Sequence, residues 1–370
     1  MNDLQSLFDN VWIDALWKLL AVLGLMVIVV LVLTYVERKV VGRIQMRLGP
    51  MRTGPLGIMQ PIADMMKILL KEDLRPASAD RIAFELAPFL AFVPVFLTLL
   101  VLPFTAKWDV RVLDLGLLYF FAVSGLTVFG YMMAGWASDS KYGLLGAMRT
   151  AAQLISYEVP LVLAVLALSM LVGSLNLVDI VEKQGRVPFI VWQPLGFFLF
   201  MAAAVSDLSR RPFDTASAES EVAGGPWIEF SSIRWSILYA LTEYANMFAL
   251  CTLGALIFLG GWDWPLGLKW GWWWQLVLIF SKTSVLILAV MWTNATFPRL
   301  RIDQLMSFCW KLLLPLAIVQ VFLNGLILVY GWPDWTFLLT SGLALAAAGY
   351  IVYSVIPIGL PSRIVLRSTV

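Results

Sequence analysis

The chain has 370 residues, of which 61% are apolar and only 14% charged, with a formal net charge of +2. A soluble chain of this length needs roughly a quarter of its residues charged to cover its surface, so the composition excludes a free-standing soluble enzyme, and the near-zero net charge argues against a nucleic-acid partner. With no histidine and only two cysteines, Cys251 and Cys309, the chain cannot hold a haem through imidazole, a histidine metal site, a Ser-His-Asp triad or an iron–sulfur cluster of its own.

About 20 apolar residues cross the hydrocarbon core as a helix. Nine stretches qualify: roughly 12–36, 83–104, 113–136, 150–173, 190–208, 232–260, 272–295, 310–331 and 335–358. The fifth is short, and only Gly331, Trp332 and Pro333 separate the eighth from the ninth. The N-terminal MNDLQSLFDN has no basic residue, so the first stretch reads as a retained span and not a cleaved leader. The expected fold is an all-α polytopic membrane protein, a single membrane domain over 1–370 with about nine transmembrane helices plus an amphipathic surface helix. The two cysteines are expected to be buried helix residues and not a disulfide.

Between the first two spans, Gly49-Pro50 and Gly54-Pro55 mark tight turns. Their spacing matches neither a Walker A loop nor a dinucleotide fingerprint. In the following 57–72 segment, Ile58, Ile62, Met65, Met66, Leu69 and Leu70 share one helical face, and Gln60, Asp64, Lys67 and Lys71 the other. That pattern is an amphipathic helix at the membrane surface. Its polar stripe has two readings, a solvated face or a face toward a cavity or docked partner.

The fourth span carries Arg149, Gln153 and Tyr157 at i, i+4 and i+8, beside Glu158. The 207–234 loop is acidic where a basic loop is expected: Asp207, Asp214, Glu219, Glu221 and Glu229. Glu243 follows Arg234 in the sixth span by nine residues, as Glu158 follows Arg149 in the fourth. Lys282 lies near the middle of the seventh. Ionisable groups within a span are costly and by default mark an ion pathway or binding site. One acid paired with Lys282 would serve as structural glue; two at matching depth above an acidic loop point to a proton relay. The tryptophans from Trp262 to Trp274 read as an interface belt.

Lys and Arg distribution sets orientation. With the N-terminus outside, the segments 37–82, 137–149, 207–234, 296–311 and the C-terminus share one side and hold 19 of the 26 basic residues, against six opposite. No 20–50-residue repeat is present, which argues against an inverted-repeat transporter.

These motifs together resemble the H-type membrane subunit of proton-pumping NADH:quinone oxidoreductase (respiratory complex I, NDH-1). The stretches that carry the resemblance run in family order: Glu37-Arg38-Lys39 with Gln45 to Gly57, Gln60-Pro61-Ile62-Ala63-Asp64 with Lys71-Glu72-Asp73, Lys141-Tyr142 to Gly146, and Arg149 through Ser156-Tyr157-Glu158. Arg211-Pro212-Phe213-Asp214, Glu243-Tyr244, Pro298-Arg299 to Asp303-Gln304-Leu305-Met306, and Trp310-Lys311 continue it, over roughly 12–331. The resemblance implies a subunit that joins the membrane arm to the hydrophilic arm and lines most of a quinone chamber. It would have no independent activity, no catalytic residue and no metal or cofactor of its own. Its substrate would be a quinone such as ubiquinone, and partner subunits would carry FMN and iron–sulfur clusters.

The implied partners are the other membrane and peripheral subunits of complex I and the lipid bilayer, with no nucleic acid. The implied location is a bacterial plasma (inner) membrane. Carried over by position, Glu37, Arg38, Asp64, Lys67 and Arg299 would form the chamber. Asp214, Glu219, Glu221, Glu229, Asp207, Glu158 and Glu243 would form the proton relay. The sequence departs from the family in the loop, with Pro212-Phe213-Asp214-Thr215-Ala216-Ser217-Ala218-Glu219 where a Leu-Pro-Glu-like stretch is usual, Phe230 at a usual Tyr, and Asp207 where Glu is common. These departures bear on loop conformation and quinone preference. The alternatives are the homologous membrane subunit of an energy-converting hydrogenase and an autonomous ion transporter.

Overall fold

The structure is a computed structural model that describes residues 11–105, 113–185, 187–215, 218–263 and 271–355, with the side chains of 11, 12, 14, 219, 220 and 351–355 outside that set. Every regular element among the described residues is helical. Seven helices are long and apolar enough to cross a membrane: Ala15–Ile44, Arg81–Val101, Gly116–Ala137, Lys141–Val172, Ser232–Phe258, Trp272–Thr296 and Ile302–Tyr330. Two shorter apolar helices, Pro194–Asp207 and Trp335–Tyr350, stand at the fifth and ninth places. The protein is an integral membrane protein.

The first helix, Val11–Ile44, has 34 residues, about 50 Å at 1.5 Å per residue. A hydrocarbon core of about 30 Å cannot contain it, so its last turns carry Glu37, Arg38 and Arg43 past the apolar zone. The fourth helix, Lys141–Val172, has 32 residues and overshoots in the same way.

Local sequence explains the interruptions. Proline disfavours helical geometry in the residue before it, and Gln193, before Pro194, sits at φ −131°, ψ 65°, splitting the fifth element into Phe189–Trp192 and Pro194–Asp207. Pro160 lies inside the fourth helix and, lacking an N–H, leaves the Ser156 carbonyl without its helical donor. The Cys309 thiol donates to that carbonyl at 3.1 Å, from a π-helical turn, Cys309–Leu313, in the eighth helix. A second π-turn, Ser236–Leu241, stands just before Glu243 in the sixth, and Thr242 Oγ1 donates to Ile237 O at 2.7 Å. Both cysteines are free and buried.

Lipid tails are as apolar as side chains, so close backbone approach, more than exclusion from water, holds such helices together. Ala87 and Ala91 of the second helix face Gly130 and Ala134 of the third; all three alanines are fully buried, and a Cβ on Gly130 would run into the Ala91 backbone. The main core joins the fourth, fifth, sixth and seventh helices around Tyr157, Phe200, Phe258 and Leu168. A satellite core holds Phe84, Tyr131, Leu154 and two residues of the acidic loop, Trp227 and Phe230. Phe230 stacks on Phe84 at 4.0 Å between ring centroids, and Trp227 meets Tyr131 edge-on. The acidic loop is therefore bound into the bundle by its aromatic residues, and Phe230 needs no hydroxyl for its role there.

The tryptophan belt needs correction. Trp272, Trp273 and Trp274 are exposed, but Trp262 is only 2% exposed and belongs to the core, because the turn at Gly260 and Gly261 folds it back under the sixth helix. Trp264 and Trp270 lie outside the described residues.

Candidate functional site: a buried carboxylate–arginine cluster under an open cavity

The inner end of the first helix, the start of the acidic loop and the sixth helix converge on Arg210. Its guanidinium donates from one terminal nitrogen to Glu37 Oε1 at 2.8 Å. The other terminal nitrogen stands 3.7 Å from Glu243 Oε2. The plane lies over the Tyr244 ring, 5.0 Å from its centroid. Asn294 of the seventh helix donates to the same Glu37 oxygen at 3.2 Å, and its own amide oxygen accepts from the Arg211 backbone at 3.3 Å. All three charged side chains are at most 13% exposed. Burial works against the charge of Arg210, but Glu37 and then Glu243 outweigh it and hold the guanidinium pKa above its ordinary value. One cation thus serves two buried carboxylates.

A cavity of about 310 Å³ opens beside this cluster, lined among others by Glu37, Arg38, Arg210, Arg211, Asp214 and Glu243. A much smaller one, about 10 Å³ and so near the size of a single water, is lined by Tyr131, Thr127, Asp207, Thr242, Glu243 and Asn246. Glu243 lines both. Asn246, one helical turn beyond Glu243, donates to Asp207 Oδ2 at 3.1 Å. Glu158 is half-buried, and its carboxylate rests against Gly125 of the third helix.

Gln153 organises the loop entry. Its amide donates to Ser206 O at 2.7 Å and Phe213 O at 2.8 Å, and its oxygen accepts from Thr215 Oγ1 at 2.6 Å. The residue is fully buried. The Phe213 ring packs against Tyr157, which donates to Leu305 O at 2.8 Å. Asp214 accepts from Arg299 at 2.9 Å.

The remaining residues expected at the site are spread more widely. Asp64 accepts from Arg38 at 2.5 Å and Gln60 at 3.1 Å, with Lys67 at 3.9 Å and largely exposed; Asp64 and Lys67 are absent from the cavity wall, and so is Arg299. Glu221 is exposed and pairs with Arg149 at 2.5 Å, and Glu229 is half-buried outside both cavities. Glu219 opens the short helix Glu219–Val222, and its side chain lies outside the described ones. Lys282 pairs with neither intramembrane acid; it donates to the carbonyls of Gly261 at 2.7 Å and Asp263 at 2.6 Å.

Sequence reasoning overlooked Arg210, Asn246 and Asn294. A usable signal existed for two of them. Buried carboxylates demand a cation, which directs attention to Arg210 or Arg211, and Asn246 shares a helical face with Glu243 at i+3. Asn294 gave none. Among the described residues no group of three or more Cys, Asp or Glu could hold a metal ion.

Comparison with known proteins gives one answer. The profile of the NADH dehydrogenase family matches residues 17–325. The H-type subunit of NADH-quinone oxidoreductase from Brevibacillus brevis is 47% identical over 329 residues, covering 86% of this chain and 95% of the relative. Its counterpart from Dehalococcoides mccartyi is 44% identical, covering 86% of this chain and 88% of the relative. That of Geobacillus kaustophilus is 48% identical, covering 82% and 91%. The chain belongs to the NADH dehydrogenase family, as an H-type membrane subunit of an NADH:quinone oxidoreductase.

Proposed function

We propose that this subunit forms the quinone-binding chamber where the membrane arm meets the hydrophilic arm, and couples quinone reduction there to proton translocation. One observation carries the reading: Glu243 lines both the large cavity and the small one, and shares Arg210 with Glu37 at the chamber wall. Glu37, Arg38 and Asp214 contribute to that wall directly. Asp64, Lys67 and Arg299 act from behind it, Asp64 by holding Arg38 and Arg299 by holding Asp214. Glu243, Asp207 and Glu158 form the inward relay. Glu219, Glu221 and Glu229 are its loop-side acids.

Partner subunits carry FMN and iron–sulfur clusters and deliver two electrons to the quinone head, whose reduction to quinol consumes two protons. In a dry chamber the developing negative charge acts strongly on nearby ions. It competes with Glu243 for Arg210, and a Glu243 stripped of its cation takes up a proton. Asp207, across the small cavity, is the next acceptor, and Glu158 the one after, toward the other membrane subunits. The basic face lies on the cytoplasmic side of a bacterial plasma membrane, with the N-terminus outside.

The test uses Glu158→Gln and Glu243→Gln in the intact complex. Both variants are expected to assemble and to lose at least roughly a hundredfold in coupled turnover, the lower end of the range for an absent proton carrier. Wild-type turnover with a wild-type proton-to-electron ratio in both would sink the relay.

A further inference from the structure

The third apolar helix consists of two segments, Gly116–Ser124 and Thr127–Ala137, joined at Gly125 and Leu126. Gly125 has φ −59° and ψ −22°, ordinary right-handed helical values that any residue adopts. Its backbone N–H is satisfied by Phe121 O at 3.1 Å. Glycine is disfavoured in a helix relative to alanine, and nothing in this backbone requires it. The reason lies outside the helix. A Cβ built on Gly125 would stand 2.6 Å from Glu158 Oε1 and 3.1 Å from Oε2, and these, with the Glu158 carboxyl carbon, are the nearest atoms it meets.

We infer that Gly125 is the positioning residue of Glu158: its bare backbone forms the notch in which the carboxylate rests, and so fixes how far that acid stands from Asp207. Two observations support this. The contact is made by both carboxylate oxygens and by no other residue among the nearest atoms. Thr127, two residues beyond the notch, lines the small cavity shared by Asp207 and Glu243. The third helix thus touches the proposed relay at its break and just beyond it, although it contributes no titratable carboxylate to it. Ser124 and Thr127 hydroxyls donate to Phe121 O at 3.0 Å and Ser124 O at 2.8 Å, so they stabilise the joint itself and leave Glu158 to the glycine.

The inference rests on Glu158 belonging to the relay, and the experiment separates the two. A methyl at position 125 meets the free end of a flexible side chain, not backbone, so Gly125→Ala is expected to fold and assemble while moving the carboxylate by roughly 1 Å to regain van der Waals distance. Misplacement of that size at a reacting group costs up to about a hundredfold.

The variants Gly125→Ala, Glu158→Gln, Glu158→Asp and the doubles Gly125→Ala/Glu158→Gln and Gly125→Ala/Glu158→Asp are compared in the intact complex. Assembly, quinone KM, turnover and the proton-to-electron ratio are read in sealed vesicles. Gly125→Ala is expected to reduce coupled turnover between roughly tenfold and a hundredfold at unchanged KM and assembly. It is expected to add no further loss in the Glu158→Gln background, where the carrier is already gone. In Glu158→Asp, whose shorter acid withdraws from the notch, the added methyl is likewise expected to cost nothing more.

If Gly125→Ala behaves as wild type while Glu158→Gln is impaired, the notch is wrong and the relay stands. If both behave as wild type, the relay itself falls. An equal loss from Gly125→Ala in all three backgrounds would show a purely structural role for the glycine and would also overturn the inference.

Discussion

Arg210→Gln would leave Glu37 and Glu243, each about nine-tenths buried, without their shared cation. Removing one partner of a buried ion pair costs about 3–5 kcal/mol, so the variant is expected to lower the yield of assembled complex, whereas Arg210→Lys, which can serve one carboxylate but not both, is expected to assemble at reduced turnover. Blue-native gels with in-gel activity distinguish the two outcomes. The pH dependence has a definite sign. The Arg210 pKa is raised, so its contribution to stability is complete below the ordinary guanidinium pKa and is lost only as pH rises past the folded one. No working pH reaches that window. Gln153→Leu is the neutral counterpart. The carbonyls of Ser206 and Phe213 keep their backbone donors, Ser209 N and Thr215 N at 2.9 Å each, but the buried Thr215 hydroxyl loses its acceptor, at about 1–3 kcal/mol for a buried group left unpaired, and the variant should make the bond after Arg210 more accessible to trypsin.

At the scale of elements, the amphipathic helix Gln60–Leu70 faces two ways. Ile62, Met65, Met66, Leu69 and Leu70 are all exposed within this chain, while Asp64 reaches back to Arg38 of the first helix. The Arg38–Asp64 pair is itself partly exposed, at 47% and 21%, and exposed pairs contribute at most about 1 kcal/mol. Asp64→Asn is therefore expected to leave thermal stability within a few degrees of wild type and to raise quinone KM several-fold by freeing Arg38 at the chamber wall. A large drop in melting temperature with unchanged KM would assign the pair to stability instead.

How legible these elements were follows from the kind of signal each needs. Apolar length marked the long helices, and the i, i+3, i+4 pattern from Ile58 to Leu70 marked the surface helix. The break at Gln193 was readable from Pro194. The two π-turns were not, since no local periodicity encodes them. The charges of the acidic loop did not show that it packs into the bundle. Its burial is due to Phe213, Trp227 and Phe230, apolar residues that a reading focused on carboxylates passed over. Of the site, the acids were visible individually. Their common cation was not, because Arg210 gains its meaning only when Glu37, 173 positions earlier, and Glu243 of the sixth helix meet around it.

For the whole molecule, the topology proposed from the uneven spread of Lys and Arg is easy to check because Cys251 and Cys309 are buried. Neither native thiol competes for an impermeant maleimide. A cysteine placed at Lys71 is expected to label only from the cytoplasmic side, and one at Trp332, between the eighth and ninth helices, only from the opposite side. Labelling of both from one side would remove one of the intervening spans.

The central claim is that the chamber and the relay are one electrostatic unit, joined where Arg210 stands between Glu37 and Glu243. A double-mutant cycle tests it most directly, with Arg210→Lys, Glu243→Gln and the double variant compared in the intact complex for quinone-reductase turnover in sealed vesicles. Groups in direct contact lose additivity, so the double variant is expected to be no slower than the slower single. Losses that multiply, as for independent sites, would contradict the account.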